Sequence, residues 1–465
     1  MRTDFDAVII GAGPAGASAS ILLARAGWSV ALIEKQPFPR RKVCGECVAA
    51  SNLPLLDALG VGDAFDLRAG PPLRQVALMR GARSVVAALP PVAGSARPWG
   101  RALGRETLDT LLVGAARTAG VHVFQPWSAQ AVDGGPGAWR CTVRPVGAGP
   151  GSLELRAPVA IAAHGSWEAL PSGRERRRGD RGPADLLAFK ANFIGAGLAD
   201  GLLPVLAFAG GYGGMVVADG GVTTLAACVR RDTLEAWRRA LPGVPAGEAV
   251  ETMLRRACEG VDAALRHARR EGPWLAAGPL DPGVRVRDDD RLLRIGNAAG
   301  EAHPIIGEGM SMALQSAWLL CAELLAPAPA RAAASAAARN AAPAAARAAA
   351  SARAARCERD PRSPARQRDV ARRYARAWRR AFAPRLRLAA LFAHAAMRPG
   401  PSALLMSLAA RCPALLTRGA CWGGKVDAAC PAAAMAALQS TGADRCDTPP
   451  PEPHGAARRS LRKIT

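Results

Sequence analysis

The sequence predicts an α/β protein: a Rossmann-like, three-layer dinucleotide-binding domain with an inserted antiparallel β domain and a C-terminal helical tail. Three observations predict it. Residues 7–34 read as strand, glycine turn, helix and strand. A second apolar strand running into a glycine-rich turn follows far downstream, at residues 292–300. Between residues 68 and 284, short β-like segments with Pro and Gly turns predominate. The chain has 465 residues, 50% hydrophobic and 21% charged, which is enough for two or three domains with buried cores.

The first unit is the most legible. Ala7 to Ile10 is an apolar run after Asp6, followed by Gly11-Ala-Gly-Pro-Ala-Gly16 and a helix-compatible stretch to Ala26. Gly27 closes that helix as a C-cap would, and Ser29 to Ile33 is a second buried-type strand ending at Glu34. Gly11 permits the tight turn, Gly13 lets the backbone approach a pyrophosphate and Gly16 lets helix and strand pack closely. Pro14 and Ala15 open the helix, whose N-terminus offers unpaired N–H groups and partial positive charge. Glu34, with Lys35 beside it, stands where a carboxylate accepts hydrogen bonds from ribose hydroxyls.

Further along, residues 68–98 read as short strands, 105–119 as a helix, 121–165 as strands around a Gly/Pro-rich hairpin, and 171–183 as a polar Arg-rich loop. From 186 to 231 β-like segments predominate, with helices to about residue 270. Leu292 to Ile295 then leads into Gly296-Asn-Ala-Ala-Gly300, and Pro304-Ile-Ile-Gly-Glu-Gly-Met310 precedes a helix. In a nicotinamide dehydrogenase the remaining nucleotide contacts come from one contiguous domain, so this late second glycine element points to a different dinucleotide.

Here the chain resembles the FAD-dependent oxidoreductases of the p-hydroxybenzoate hydroxylase fold, most closely their geranylgeranyl reductase-like branch. The matching motifs are GAGPAG with Glu34, Lys42-Val-Cys-Gly-Glu46, Arg105-Glu-Thr-Leu-Asp109 and GNAAGEAHPIIGEGMSMALQSA from Gly296. The resemblance implies a discontinuous FAD-binding domain of residues 1–67, 99–165 and 285–325, with a substrate domain of 68–98 and 166–284. A low-complexity Ala/Arg linker (326–360), a helical C-terminal region (361–440) and a disordered tail (441–465) complete the expected organisation.

The same resemblance implies that FAD is held by Gly11, Gly13, Pro14, Ala15, Gly16, Glu34, Lys35, Arg41, Cys44, Gly45 and Arg105. It places Gly296 and Asn297 at the ribityl chain and pyrophosphate, and Pro304, Gly307, Glu308, Gly309 and Met310 beside the isoalloxazine. A helix starting near Gly309 aims its dipole at the ring edge where negative charge gathers on reduction. The electron donor is NAD(P)H or a separate reductase.

Two positions depart from the family pattern: Asn297 and His164 stand where aspartates are usual. Asn still offers a donor and an acceptor to ribityl hydroxyls, whereas His164 falls in a motif associated with bound NAD(P)H as well as FAD. Cys44 and Cys47 have CxxC spacing, readable as a redox pair, as pocket lining or as packing, and the resemblance puts Cys44 near flavin and substrate. No second Cys/His pair stands at ligand spacing, so no metal is expected. His303 is the best titratable candidate for proton delivery, against a purely structural role. Tyr212, within Gly210-Gly-Tyr-Gly-Gly214, falls where the reductase-like branch carries an aromatic motif facing the substrate cavity, so the resemblance implies a place in the pocket wall. The chain lacks the Trp-x-Trp motif of flavin halogenases and has no lysine in the first substrate-domain strands, residues 68–98, which disfavours halogenation.

The formal net charge is +23 with a pI near 11. Fifteen arginines against Glu358, Asp360 and Asp369 lie between residues 326 and 385, so roughly half of the excess sits in one Ala-rich segment instead of being spread along a nucleic-acid face. Without aromatic interleaving or a nucleic-acid module, binding to nucleic acid is not expected. No apolar run is long enough to span a bilayer, but Leu386 to Leu416, apolar with interspersed arginines, reads either as core-packed helices or as a peripheral membrane contact. The 11 cysteines, an odd number scattered without paired spacing apart from Cys44 and Cys47, and an N-terminus without signal-peptide character favour reduced thiols in the cytoplasm.

The Leu, Ala, Val and Phe content of residues 186–229 makes the expected cavity apolar, suited to an aromatic, polyketide or prenyl-like substrate. Three readings follow. In the first, a monooxygenase hydroxylates such a substrate through a flavin hydroperoxide in a dry pocket. In the second, an ene-reductase passes hydride to a C=C bond of a prenyl or polyene chain while an acid such as His303 supplies the proton. In the third, Asn297 and His164 mark a degenerate flavin site in a non-catalytic protein. The resemblance leans toward reduction, whereas the absence of an evident acid cluster in the sequence leans slightly toward oxygenation.

Overall fold

The computed structural model describes residues 2–147, 151–166, 182–289, 291–326, 360 and 362–425. The Ala/Arg linker and the tail at 441–465 lie almost wholly or wholly outside them, as does nearly all of the Arg-rich loop at 171–183.

The chain opens with β1 (Ala7–Ile10), α1 (Pro14–Arg25) and β2 (Val30–Ile33), then β3 (Cys47–Val48), α2 (Leu53–Ala58), α3 (Gly62–Arg68), β4 (Gln75–Arg80), β5 (Arg83–Ala88) and β6 (Arg101–Ala102). It continues through α4 (Arg105–Thr118), β7 (His122–Phe124), β8 (Trp127–Gly135), β9 (Ala138–Pro145), β10 (Leu153–Ala157) and β11 (Val159–Ala162). β12 (Leu186–Ile194), β13 (Leu202–Phe208), β14 (Gly211–Val217), β15 (Thr223–Arg230), α5 (Arg231–Ala240), α6 (Ala246–Ala257), α7 (Glu259–Leu265) and β16 (Arg269–Ala277) follow. The last part holds β17 (Gly283–Val284), β18 (Leu293–Arg294), β19 (Gly300–Glu301), α8 (Gly309–Leu325), α9 (Pro364–Ala396), α10 (Pro399–Arg411) and α11 (Ala414–Trp422).

A five-stranded parallel sheet, ordered β18-β11-β1-β2-β7, is the core of the nucleotide domain. β1 and β2 are buried at every position, which explains their uninterrupted Val/Ile/Leu/Ala runs. On one face α1, α4 and α8 pack through Ile21, Leu23, Leu108, Leu112, Leu314 and Trp318; on the other lies the antiparallel sheet β10-β9-β8, with Trp139, Val143 and Leu155 against β1 and β11. This gives three layers.

The inserted sheet has seven strands, ordered β16-β12-β15-β14-β13-β4-β5. It is antiparallel except that β4 pairs with β13 in parallel, because the β4–β5 hairpin comes from an earlier stretch of chain and joins the edge that β13 leaves open. Helices α5 to α7 cover one side through Leu234, Val250, Met253 and Val261. Helix α9 packs on α8 with Trp378 and Phe382 in the nucleotide-domain core, then α10 and α11 turn back over β4, β5 and β13. Among the described residues no helix is long and apolar enough to cross a membrane.

Candidate functional site

The turn between β1 and α1 is shaped by glycines that cannot be replaced. Gly11 has φ +103°, and a Cβ there would sit 2.5 Å from the Ala163 carbonyl oxygen; one on Gly16 would lie 1.9 Å from the Gly11 oxygen. Gly13 is different: a Cβ there would meet only Arg105 Nη2, at 3.6 Å, leaving an open trough above the N-terminus of α1, which has no side-chain cap.

Glu34 is buried at the end of β2 and already engaged. Its Oε2 accepts from the Ala12 N–H at 3.0 Å, its Oε1 from the Gln36 N–H at 2.9 Å, and Arg40 approaches at 3.4 Å. Arg40 also lies 3.5 Å from Asp109, whose carboxylate receives a bidentate pair from Arg105, both contacts at 2.7 Å. Burial alone would lower the Arg105 pKa, but Asp109 more than offsets this and raises it, so the guanidinium is fixed and charged. Arg41, by contrast, is turned away from this network, donating from Nε to Glu106 at 2.8 Å and from Nη1 to the Glu271 carbonyl at 2.9 Å. Lys35 is half-buried and, like Arg41, does not line the cavity described next.

From the trough a continuous cavity of about 550 Å³ runs between the parallel sheet and the inserted sheet. Gly13, Pro14, Ala15, Cys44, Gly45, Arg105, Gly296, Asn297, Pro304, Gly307, Gly309 and Met310 line it on the nucleotide side. Gly45 and Gly309 face open space. Gly296 (φ +58°) comes within 3.0 Å of the Ala15 side chain at its Cβ position and donates its N–H to Ser316, which draws the second glycine turn onto α1. Asn297 donates from Nδ2 to Ser166 at 2.7 Å. His164 follows β11 and is buried behind the Gly11 turn.

Glu308 is wholly buried at the N-cap position of α8 and faces Lys425 at 3.2 Å and Arg385 at 3.8 Å instead of the cavity. Lys425 also donates to the Gly307 carbonyl, at 3.2 Å, clamping the loop that precedes α8.

On the substrate side the walls are apolar (Phe189, Leu203, Val205, Met215), and α9 to α11 add Phe392, Leu405 and Leu416. Polar groups such as Thr224, Ser402 and Lys425 break that surface, and two more, Tyr212 and Glu46, are tied into buried networks. Tyr212 lines the cavity, and its hydroxyl lies 3.1 Å from His303 Nδ1. Burial, helped by Cys228, pushes the phenol well above its usual range. His303 stands behind this wall and not in it; burial, then the neighbouring His394, lowers its pKa to about 4, so it is neutral near pH 7 and is not itself the acid facing substrate. Glu46 is the second group. It is a non-glycine residue at φ +57°, buried, ion-paired with the buried Lys190, and it accepts from Thr224 Oγ1 and from the Arg105 N–H at 3.1 Å. This joins the loop before β3 to β12 and β15.

Cys44 and Cys47 are both free thiols, and burial pushes Cys47 up to about 11, despite Lys425 acting in the other direction. No disulfide bridges them. Among the described residues no cluster of His, Cys, Asp or Glu could hold a metal.

Sequence reasoning missed Arg40, Lys190, Thr224, Lys425 and the helical roof. Glu46 sits within a motif that the sequence flagged, but its partners come from strands about 140 to 180 residues away.

Two glycine turns and an open helix N-terminus line one trough, with buried Glu34 at the end of β2, and the residues present fit an FAD-binding domain. The family described as FAD binding domain matches residues 4–181. Menaquinone reductase of Mycolicibacterium smegmatis is 40% identical over 68 residues, 15% of this chain and 17% of that protein. Tryptophan 2-halogenase of Chondromyces crocatus is 44% identical over 59 residues, 13% and 11% of the two chains. The chain thus spans less than a fifth of the length of these curated relatives.

Among solved structures, the flavin-dependent brominase Bmp2 superposes with TM-score 0.63 at 16% identity, covering 95% of this chain and 99% of that one. A geranylgeranyl bacteriochlorophyll reductase-like protein from Thermoplasma acidophilum superposes with TM-score 0.61 at 14% identity, covering 95% and 97%. At these identities the likeness is one of fold.

Proposed function

We propose that this chain is an FAD-dependent oxidoreductase that reduces a C=C bond of an apolar, prenyl- or polyene-like substrate. The observation that carries the reading is Tyr212 in a largely apolar cavity wall, its hydroxyl backed by neutral His303. In the sequence the family resemblance leans toward reduction and the lack of an evident acid cluster leans slightly toward hydroxylation; the Tyr212–His303 pair offers a proton donor and favours reduction.

Gly13, Arg105, Asn297 and the start of α8 would hold the cofactor. Bound FAD, reduced by NAD(P)H or by a donor reductase, supplies a hydride to one alkene carbon. Tyr212 gives its hydroxyl proton to the other carbon, so the double bond is replaced by two C–H bonds. His303 returns a proton to the phenolate through Nδ1 and regains one at its other ring nitrogen, on a path that begins at exposed His394, whose ring centroid is 5.6 Å from that of His303. The apolar walls exclude water and align an extended chain. The eight free cysteines among the described residues favour a reducing compartment, and we place the protein in the cytoplasm.

The test is anaerobic turnover of the reduced holoprotein with a polyprenyl substrate. Product heavier by two hydrogens supports the reading. Oxygen consumption coupled to a hydroxylated product supports the second reading, monooxygenation, which the same water-excluding cavity favours. Relatives whose names specify menaquinone reduction lend weight to the first.

A further inference from the structure

Helices α10 and α11 carry two matched surface stripes. On α10, Leu404, Leu408 and Arg411 share one face at helical spacing; on α11, Leu415, Arg418 and Trp422 do the same. All six are exposed, Trp422 to 64%, and Leu391 near the end of α9 is exposed to 65%. Isolated surface leucines need no explanation, but this is a run of large apolar groups on adjacent helices, each followed by an arginine.

Leu408, Leu415 and Trp422 also line the cavity. The same side chains therefore face solvent and the substrate space, so the cavity reaches the surface between α10 and α11, at a mouth rimmed with apolar groups. The charge around it has one sign. Arg387 on α9, Arg398 at the N-cap of α10, Arg411 on α10 and Arg418 on α11 are exposed, and from residue 386 to 422 the sequence contains no acidic residue. An apolar stripe flanked by arginines on short helices that cannot span a bilayer has the pattern of an interfacial element attracted to anionic headgroups.

From this continuity of mouth and stripe, together with the charge complementarity, we infer that α10 and α11 dock the cavity mouth onto an anionic lipid bilayer, from which an apolar substrate enters without crossing water. The inference rests on the proposed apolar-substrate reductase for its purpose, but the docking itself is a separate physical event.

The test is co-sedimentation of the full-length holoprotein with phosphatidylcholine vesicles, with and without phosphatidylglycerol, at low and high salt. The expected result is binding to the phosphatidylglycerol vesicles that weakens as salt rises. Arg411→Gln and Arg418→Gln should each weaken partition roughly fivefold, and Leu404→Glu, outside the cavity lining, should abolish it while the bound-flavin spectrum and far-ultraviolet circular dichroism stay as in the wild type. Equal binding to uncharged vesicles, no binding to either, or undiminished binding by Leu404→Glu overturns the inference. A protein dimer that Leu404→Glu dissociates, without vesicle binding by either form, assigns the face to a second copy and also overturns it. Activity on a short, water-soluble prenyl substrate separates the two claims: retained activity without vesicle binding removes the docking alone, whereas vesicle binding without reductase activity removes the proposed reaction alone.

Discussion

The Tyr212 hydroxyl lies 3.1 Å from His303 Nδ1, and only the tyrosine of this pair lines the cavity. In the proposed reaction the two would divide the work of an acid: the tyrosine lines the cavity, and the histidine, buried against α9, would tune and resupply it. Tyr212→Phe keeps the ring and its packing but removes the proton. It should lower kcat about a hundredfold or more with little change in KM or flavin content. Steady-state kinetics with a flavin absorbance control checks this, and an unchanged kcat would exclude Tyr212 as the donor.

Burial also makes His303 a source of acid sensitivity. Its folded pKa near 4 lies below the ordinary histidine value of 6.5, so the unfolded chain binds the proton more readily. The stabilisation is fully present above pH 6.5 and is lost as pH falls toward 4, amounting to about 3 kcal/mol across that window. Denaturant midpoints measured at several pH values should show this slope in the wild type and a shallower one in His303→Asn.

The Lys190–Glu46 pair ties the nucleotide domain to the inserted sheet. Glu46→Gln leaves Lys190 charged and unpaired in the interior and should cost ~3–5 kcal/mol, whereas Lys190→Met combined with Glu46→Gln should recover much of that loss. Urea unfolding of the two single variants and the double variant forms the cycle. Additive losses would show that the two residues do not act as a pair.

Gly16→Ala must push a methyl group against the Gly11 carbonyl, 1.9 Å from the added carbon. Helix α1 then shifts off β1 and the trough deforms. The purified variant should lose its visible flavin absorbance even where circular dichroism shows a folded chain. Asn297→Asp, on an open part of the wall, should retain it.

The nucleotide cradle was legible because its chemistry is local: Gly11, Gly13, Gly16 and Glu34 lie within 24 consecutive residues, and each answers to a steric or charge requirement of the βαβ turn. Tyr212 was legible as pocket wall through the family resemblance, which puts an aromatic motif facing the substrate at this place. The rest depends on long-range packing. Nothing in the local sequence distinguishes Arg40 from Arg41, yet their side chains diverge, one to Glu34 and Asp109, the other to Glu106. Lys190 reads as one polar residue in an apolar strand until β12 is laid beside Glu46. His303 was identified as titratable, but its neutrality follows from burial and from His394 on a helix that arrives about 90 residues later. The roof formed by α9 to α11 bears no motif, and its amphipathic pattern fits core packing and surface contact equally well.

The decisive measurement is a single turnover. The holoprotein, its released chromophore identified as FAD, is reduced under anaerobic conditions and mixed with a polyprenyl substrate while the flavin spectrum and product mass are followed. The account predicts that the flavin reoxidises without oxygen as the substrate gains two hydrogens, and that Tyr212→Phe slows both together. Reduced flavin that persists until air is admitted and then yields a hydroxylated product, or a chain that cannot retain FAD at all, would contradict it.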